Sequence, residues 1–295
     1  MLHPSLTRVV VGQARDLGHG VHVARVLPQA VQRAVGPFVF LDHMGPIEVP
    51  PGVGFDVRPH PHIGLATVTF LYEGEVVHRD SLGVTQVIRA DALNVMVAGR
   101  GVVHSERATP ETRARGGRMH GLQLWMALPL AEESCAPRFE HRDPHELPTW
   151  AADGARVRVV LGAASGRRAP TEVPGAPLLV DVVLDDGCCF EVTPDGPDDV
   201  NERAVYVSVG AIAHEGVTYG VGSLLVAAPG AMLALTAVGA ARVAVVGGAP
   251  LDAPRHLEWN FVASTRERLA QARDDWRARR FPTIPGDDVE FIPLP

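Results

Sequence analysis

Arg58-Pro59-His60-Pro61-His62-Ile63-Gly64 is the stretch on which the reading of this chain turns. In an extended strand, residues i and i+2 share a face, so His60 and His62 point together. A residue before proline is driven into the extended region, which stiffens Arg58 and His60. Proline cannot donate to a sheet ladder, so the stretch belongs at a sheet edge, a strand start or a barrel rim. A second stretch, Gly99-Arg100-Gly101-Val102-Val103-His104-Ser105-Glu106, puts His104 and Glu106 on one face in the same way. If the two strands face each other across a barrel, three imidazoles and one carboxylate converge. That is a metal site in outline.

Neutral imidazoles and a carboxylate are borderline N/O ligands that suit Fe(II), Mn, Ni, Cu or Zn, and no thiolate favours a soft metal. Four such ligands on an octahedral ion leave room for water, dioxygen or a bidentate substrate. Gly99 and Gly101 read as a turn that lets backbone approach closely. They lack the third glycine and the following helix of a dinucleotide loop.

Outward from these stretches, 30 glycines and 25 prolines separate short apolar runs such as Ala66–Tyr72, Arg156–Leu161, Leu178–Leu184, Ala204–Val209 and Arg242–Val246. Runs of this length with Glu73-Gly74, Asp153-Gly154 and Asp186-Gly187 between them predict strands joined by turns. Many such strands indicate barrels or sandwiches rather than alternating β/α units. A length of 295 residues points to two domains. The segment 131–153 carries prolines and charges with little periodicity and is expected to be a linker. It would join an N-terminal β-domain over 1–130, holding the metal, to a second β-domain over 154–295.

One helix stands out. Ser264-Thr265-Arg266-Glu267 has capping-box form with Ser264 as the expected N-cap. Leu269, Ala272 and Trp276 follow at helical spacing. Arg277, Arg279 and Arg280 are expected in the last turn, with Pro282 as the stop.

A net charge of −7 argues against a phosphate-binding surface and so against direct nucleic-acid contact. Cys135, Cys188 and Cys189 form neither a disulfide framework nor a zinc-ligand pattern, and Cys188 and Cys189 are expected to be inert thiols. Met1–Arg8 lacks a basic start followed by a long apolar stretch. The apolar segment Ser223–Ala249 is broken by Pro229-Gly230, Gly239 and Arg242 and reads as buried strands, not a membrane span. The expectation is a cytoplasmic protein with no membrane contact.

With these residues in view, the chain resembles the pirin family of the cupin superfamily. Gly54, His60, His62 and Gly74 match the first cupin motif, G(x5)HxH(x4)E(x6)G, with Thr67 in place of its glutamate. Gly101 and His104 match the second motif, and the transfer of the acidic ligand to Glu106 is typical of pirins. Gly36–His43, Glu75–Gly83 and Gly247–Leu251 resemble further pirin stretches. The resemblance implies an all-β bicupin, two tandem antiparallel β-barrels with a C-terminal α-helix.

It also implies one divalent metal, iron above all, held by His60, His62, His104 and Glu106. The second barrel is expected to be without metal, since the adjacent His214 and Glu215 would point to opposite faces of a strand. The activity implied is that of a quercetin 2,3-dioxygenase acting on a small aromatic substrate with dioxygen, and Glu106 would serve as ligand and catalytic base. The alternative is a redox-sensing regulator that binds a protein partner without catalysis. A third is a storage or scaffold bicupin with a structural metal. Where pirins often have HPHRGFET, this chain has Ile63 and Ala66 in place of an Arg and a Glu, which bears on substrate choice. His43, His78 and His120 are expected to be structural, Asp80 to belong to a turn, and Gln123 and Trp125 to pack.

Overall fold

In the computed structural model, which describes residues 3–16, 22–194 and 200–295, the short apolar runs become strands. In chain order these are β1 (Leu6–Val11), β2 (Gln13–Asp16), β3 (His22–Leu27), β4 (Phe38–Val49), β5 (Val57–His62), β6 (Leu65–Glu73), β7 (Glu75–Asp80) and β8 (Thr85–Arg89). Next come β9 (Leu93–Val97), β10 (Val102–Arg107), a short helix α1 (Pro110–Arg115), β11 (Gly117–Ala127), β12 (Arg138–Arg142), β13 (Thr149–Ala152), β14 (Ala155–Leu161), β15 (Ala163–Ala164) and β16 (Arg167–Arg168). The chain continues through β17 (Pro177–Leu184), β18 (Cys189–Val192), β19 (Glu202–His214), β20 (Val217–Gly220), β21 (Ser223–Ala227), β22 (Leu233–Gly248), β23 (His256–Glu258), β24 (Phe261–Ala263) and helix α2 (Arg266–Arg277). No helix among the described residues is long and apolar enough to cross a membrane, and Ser223–Ala249 forms β21 and β22.

The chain gathers into two units, neither contiguous in sequence. One takes residues 1–15, 24–43 and 144–250, and the other 16–23, 44–143 and 251–295. The first is built on a nine-stranded antiparallel sheet ordered β1-β21-β19-β22-β17-β14-β13, with β18 on β22 and β20 on β19. Alternation along these strands sends Val157, Val180, Val182, Val205, Val207, Val243 and Val245 into one apolar core.

The second unit holds a four-stranded sheet, β5-β10-β7-β8, and the strand run β12-β9-β6-β11. β6 is buried along eight of its nine residues, as expected for a strand covered on both faces. β5 is an edge strand, where its prolines cost no ladder bond.

Three expectations need correction. The segment 131–153 is not an unstructured connection: β12 pairs with β9 and β13 with β14. Both are edge strands, where irregular polarity is tolerated, and that hid their periodicity. Helix α2 is capped by Thr265, whose hydroxyl accepts from Arg268 N, not by Ser264. The Ser264 hydroxyl is instead donated to Glu133 at 2.7 Å. The helix ends at Arg277, with Arg279 already at φ +53°, so the backbone turns before Pro282 is reached. Leu269 and Ala272 do face inward, packing with Ile63, Phe261 and Ala263. The helix therefore sits beside the end of the histidine strand.

Candidate metal centre

β5 and β10 are not opposite each other across a barrel; they are antiparallel neighbours, with His104 directly opposite His60 and Val102 opposite His62. Direct cross-strand pairs bring side chains on one face within about 5 Å, nearer than two packed sheets would bring them. His60, His62 and His104 are all buried, and their donor nitrogens lie within 4.8 Å of one another. The Nε2 atoms of His62 and His104 are 3.1 Å apart.

The other ring nitrogen of each histidine is tied back to the protein. His60 Nδ1 donates to the Arg58 carbonyl at 2.9 Å, and His62 Nδ1 donates to the Asn260 carbonyl at 2.9 Å. His104 Nδ1 meets His78 Nδ1 at 3.4 Å, and His78 Nε2 donates to Asp80 Oδ2 at 3.0 Å. A proton on each tied-back nitrogen leaves the Nε2 lone pairs of all three rings free. No proton then remains to separate His62 from His104. Lone pairs that close could hold a shared cation, and anchoring of Nδ1 is the usual second layer of a histidine metal site.

Burial favours the neutral rings. Desolvation holds His60 down to about 4 and keeps His62 and His104 well below the ordinary imidazole range, with the neighbouring His60 adding to the depression of both. The cluster is thus ready for a metal at neutral pH without first losing protons.

Glu106 is set apart. It follows His104 by two residues on β10 and so shares its face, but a register shift separates them and Glu106 pairs with Val57 and His78. It is not in the group whose donors all lie within 4.8 Å. Among the described residues it has no hydrogen-bond partner, and desolvation alone pushes its carboxyl up to about 7.

The walls of the site come from the facing strands. Trp125 of β11 meets the His62 ring edge-on with centroids 5.1 Å apart, and Phe139 of β12 stacks on His78 at 4.3 Å. Thr67 is buried on β6 opposite Trp125, where a hydroxyl replaces a carboxylate of the general cupin motif.

His78, read from the sequence as structural, is a link to His104. Its i+2 relation to Asp80 was the available signal, being the same spacing that singled out His60 and His62. Asp80 does serve its turn, accepting from Leu82 N and Val84 N through Oδ1, and uses Oδ2 for His78. The Asn260 carbonyl left no trace in the sequence, because a backbone acceptor has no residue signature. His43 meets the Tyr206 hydroxyl at 2.8 Å and His120 lies edge-on to Tyr72, roles that are structural. His214 ends β19 and Glu215 lies in the turn beyond it at φ +49°, so strand alternation does not separate them.

A bicupin with one buried three-histidine cluster is the class of protein this fold and site define. The chain belongs to the pirin family: residues 20–126 match Pirin, and residues 179–282 match the Pirin C-terminal cupin domain. A pirin-like protein of Caulobacter vibrioides is 43% identical over 95% of this chain and 96% of its own length. A quercetin 2,3-dioxygenase from Acinetobacter baumannii, known as a crystal structure, is 34% identical with a TM-score of 0.89, covering 98% of this chain and 94% of that one. A bacterial pirin of Escherichia coli, crystallised with nickel(II), shares the fold at 19% identity, with a TM-score of 0.65 over 83% of this chain and 99% of that one.

Proposed function

We propose that the protein is a mononuclear non-haem metal enzyme of the quercetin 2,3-dioxygenase type, acting on a flavonol or similar hydroxylated aromatic with dioxygen. The observation that carries the metal is the convergence of three buried imidazoles whose outer nitrogens are all held by acceptors. The similarity to the Acinetobacter baumannii enzyme supports the reaction.

In this reading His60, His62 and His104 would hold the ion, with the unpartnered Glu106 carboxylate as a further ligand. Iron is the expected metal, and the same donors suit Mn, Ni, Cu or Zn. Bound there, the ion supplies Lewis acidity and, for iron, one-electron redox chemistry.

The remaining work falls to side chains. A flavonol hydroxyl must lose its proton as the substrate binds. The Glu106 carboxylate, with no other hydrogen-bond partner among the described residues, would take that proton and return it later. Trp125 and Phe139 line the apolar side of the cluster and keep bulk water from it. Ile63 packs with Phe261 and Leu269 beside α2, and Ala66 is fully buried, so the segment after His62 adds no charge near the cluster.

The test is oxygen uptake with quercetin by iron-loaded protein, beside metal analysis. Turnover by the wild type and none by His60→Ala is expected. Glu106→Gln should keep metal while slowing turnover by about 100-fold or more. An iron-loaded wild type no faster than His60→Ala would end the flavonol dioxygenase reading.

A further inference from the structure

A second group of donors lies in the other unit. His3, His214 and Glu215 present an imidazole, an imidazole and a carboxylate whose donor atoms lie within 4.8 Å of one another. We propose that these three residues, with the Ser5 hydroxyl, form a second divalent-cation site that takes a zinc-class ion and ties the chain at 3–5 to the β19–β20 turn.

The backbone brings them together from two directions. Leu6 N donates to the His3 carbonyl and Ala228 N to the Ser5 carbonyl, which fixes the segment just before β1. Opposite it, β19 and β20 are joined by Glu215 and Gly216, at φ +49° and +77°. Two residues of positive φ make the favoured two-residue hairpin turn, normally built from Asn, Asp or Gly. A glutamate held in that region is strained, and its carboxylate lies 3.6 Å from His3 Nε2.

The lone pairs of the cluster converge on the Ser5 hydroxyl. His214 Nδ1 lies 2.8 Å from the Ala234 carbonyl and donates to it, so His214 Nε2 carries a lone pair. That lone pair faces Ser5 Oγ at 2.7 Å. His3 Nδ1 accepts from Ser5 N at 3.3 Å, so it too presents a lone pair to Ser5 Oγ, at 2.8 Å. The Ser5 hydroxyl proton serves His214 and the Ser5 backbone N–H serves His3, so both nitrogens can turn to a metal without orphaning a ring proton.

Glu215 has no Lys or Arg partner among the described residues. Among the described residues the His3 ring is the N–H group beside this carboxylate, and two imidazoles, a hydroxyl and a carboxylate meet at one point. Two histidines and a carboxylate with one further oxygen are a zinc-type donor set. The site is also accessible: the His3 and Glu215 side chains are 42% and 47% exposed, and His214 is buried beneath them.

Equilibrium dialysis of the full-length protein against zinc tests this by counting zinc per chain in the wild type, His3→Ala and Glu215→Gln. His3 and Glu215 are exposed, so neither variant threatens the fold. Both are expected to bind one zinc fewer than the wild type, whether or not the three-histidine cluster also takes zinc. The difference is thus independent of the dioxygenase reading. A zinc count unchanged from wild type in either variant overturns the proposal.

Discussion

His104 Nδ1 lies 3.4 Å from His78 Nδ1 across the β10–β7 pair. Only one of the two nitrogens can carry the proton. Asp80 settles which, because its Oδ2 takes the Nε2 proton of His78 and leaves His78 Nδ1 as the acceptor. Removing the carboxylate by Asp80→Asn offers His78 Nε2 an amide N–H, which favours the opposite tautomer and sets two N–H groups against each other. Loss of such outer partners costs about 10–100-fold in metal affinity. Asp80→Asn and His78→Phe are expected to show this in competition titrations, with folding retained by circular dichroism.

Gly64 follows His62 directly and sits at φ +66° against the Val262 carbonyl. A methyl group there runs into that carbonyl and pushes away the segment that supplies the Asn260 acceptor for His62. Gly64→Ala is expected to cost roughly 1–3 kcal/mol in denaturant unfolding. The variant should also be isolated with less than the wild-type complement of metal.

The metal-free protein carries two opposed pH responses. The three histidines are held below the ordinary 6.5 by burial, so the unfolded chain binds more protons once the pH drops below that value. Their contribution is intact above 6.5 and is lost as the pH falls toward 4. Glu106 runs the other way. Its carboxyl is raised from 4.5 to about 7, so its contribution is full below 4.5 and is lost as the pH rises through 7. Glu106→Gln removes only the second response. In metal-free protein it should stabilise by roughly 1–3 kcal/mol more at about pH 8 than at about pH 4.5, the smaller figure reflecting residual solvent contact. Thermal melts at the two pH values check this, and equal shifts would contradict it.

Asp287 accepts from the Ser105 hydroxyl at 2.7 Å and from Arg107 Nε and Nη2, at 2.9 and 2.7 Å. Arg107 also reaches Glu290 at 2.9 Å. The Arg107 guanidinium holds the Asp287 carboxyl below its usual range even though desolvation works against it. Asp287→Ala leaves Ser105 and part of Arg107 without partners, and a loss of about 1–3 kcal/mol is expected. Faster proteolysis of the segment after α2 should accompany it, with metal content unchanged.

The fold and half of the centre were legible because both rest on period-two patterns. His60, His62 and His104 sat at spacings that any strand places on one face, and Pro59 and Pro61 marked the edge on which β5 lies. The rest required pairing partners. That β5 and β10 are neighbours, and not opposed across a barrel, depends on strand order, which side-chain alternation does not encode. β12 and β13 were hidden in an expected linker because edge strands need no clean alternation. His78 was visible by spacing, but its value lies in facing His104, a relation set by the β10–β7 register. Ser264 and Thr265 are both good caps, and contact with Glu133 decided between them.

The acceptor that orients His62 lies 198 residues further along the chain, and the clasp on Ser105 lies 182 residues beyond it. A ribosome therefore delivers the three histidines long before it delivers the groups that aim and cover them. A nascent chain stalled short of Asn260 has no Asn260 carbonyl to fix the His62 ring. The aim of His62 is thus set only once the segment around Asn260 has been made.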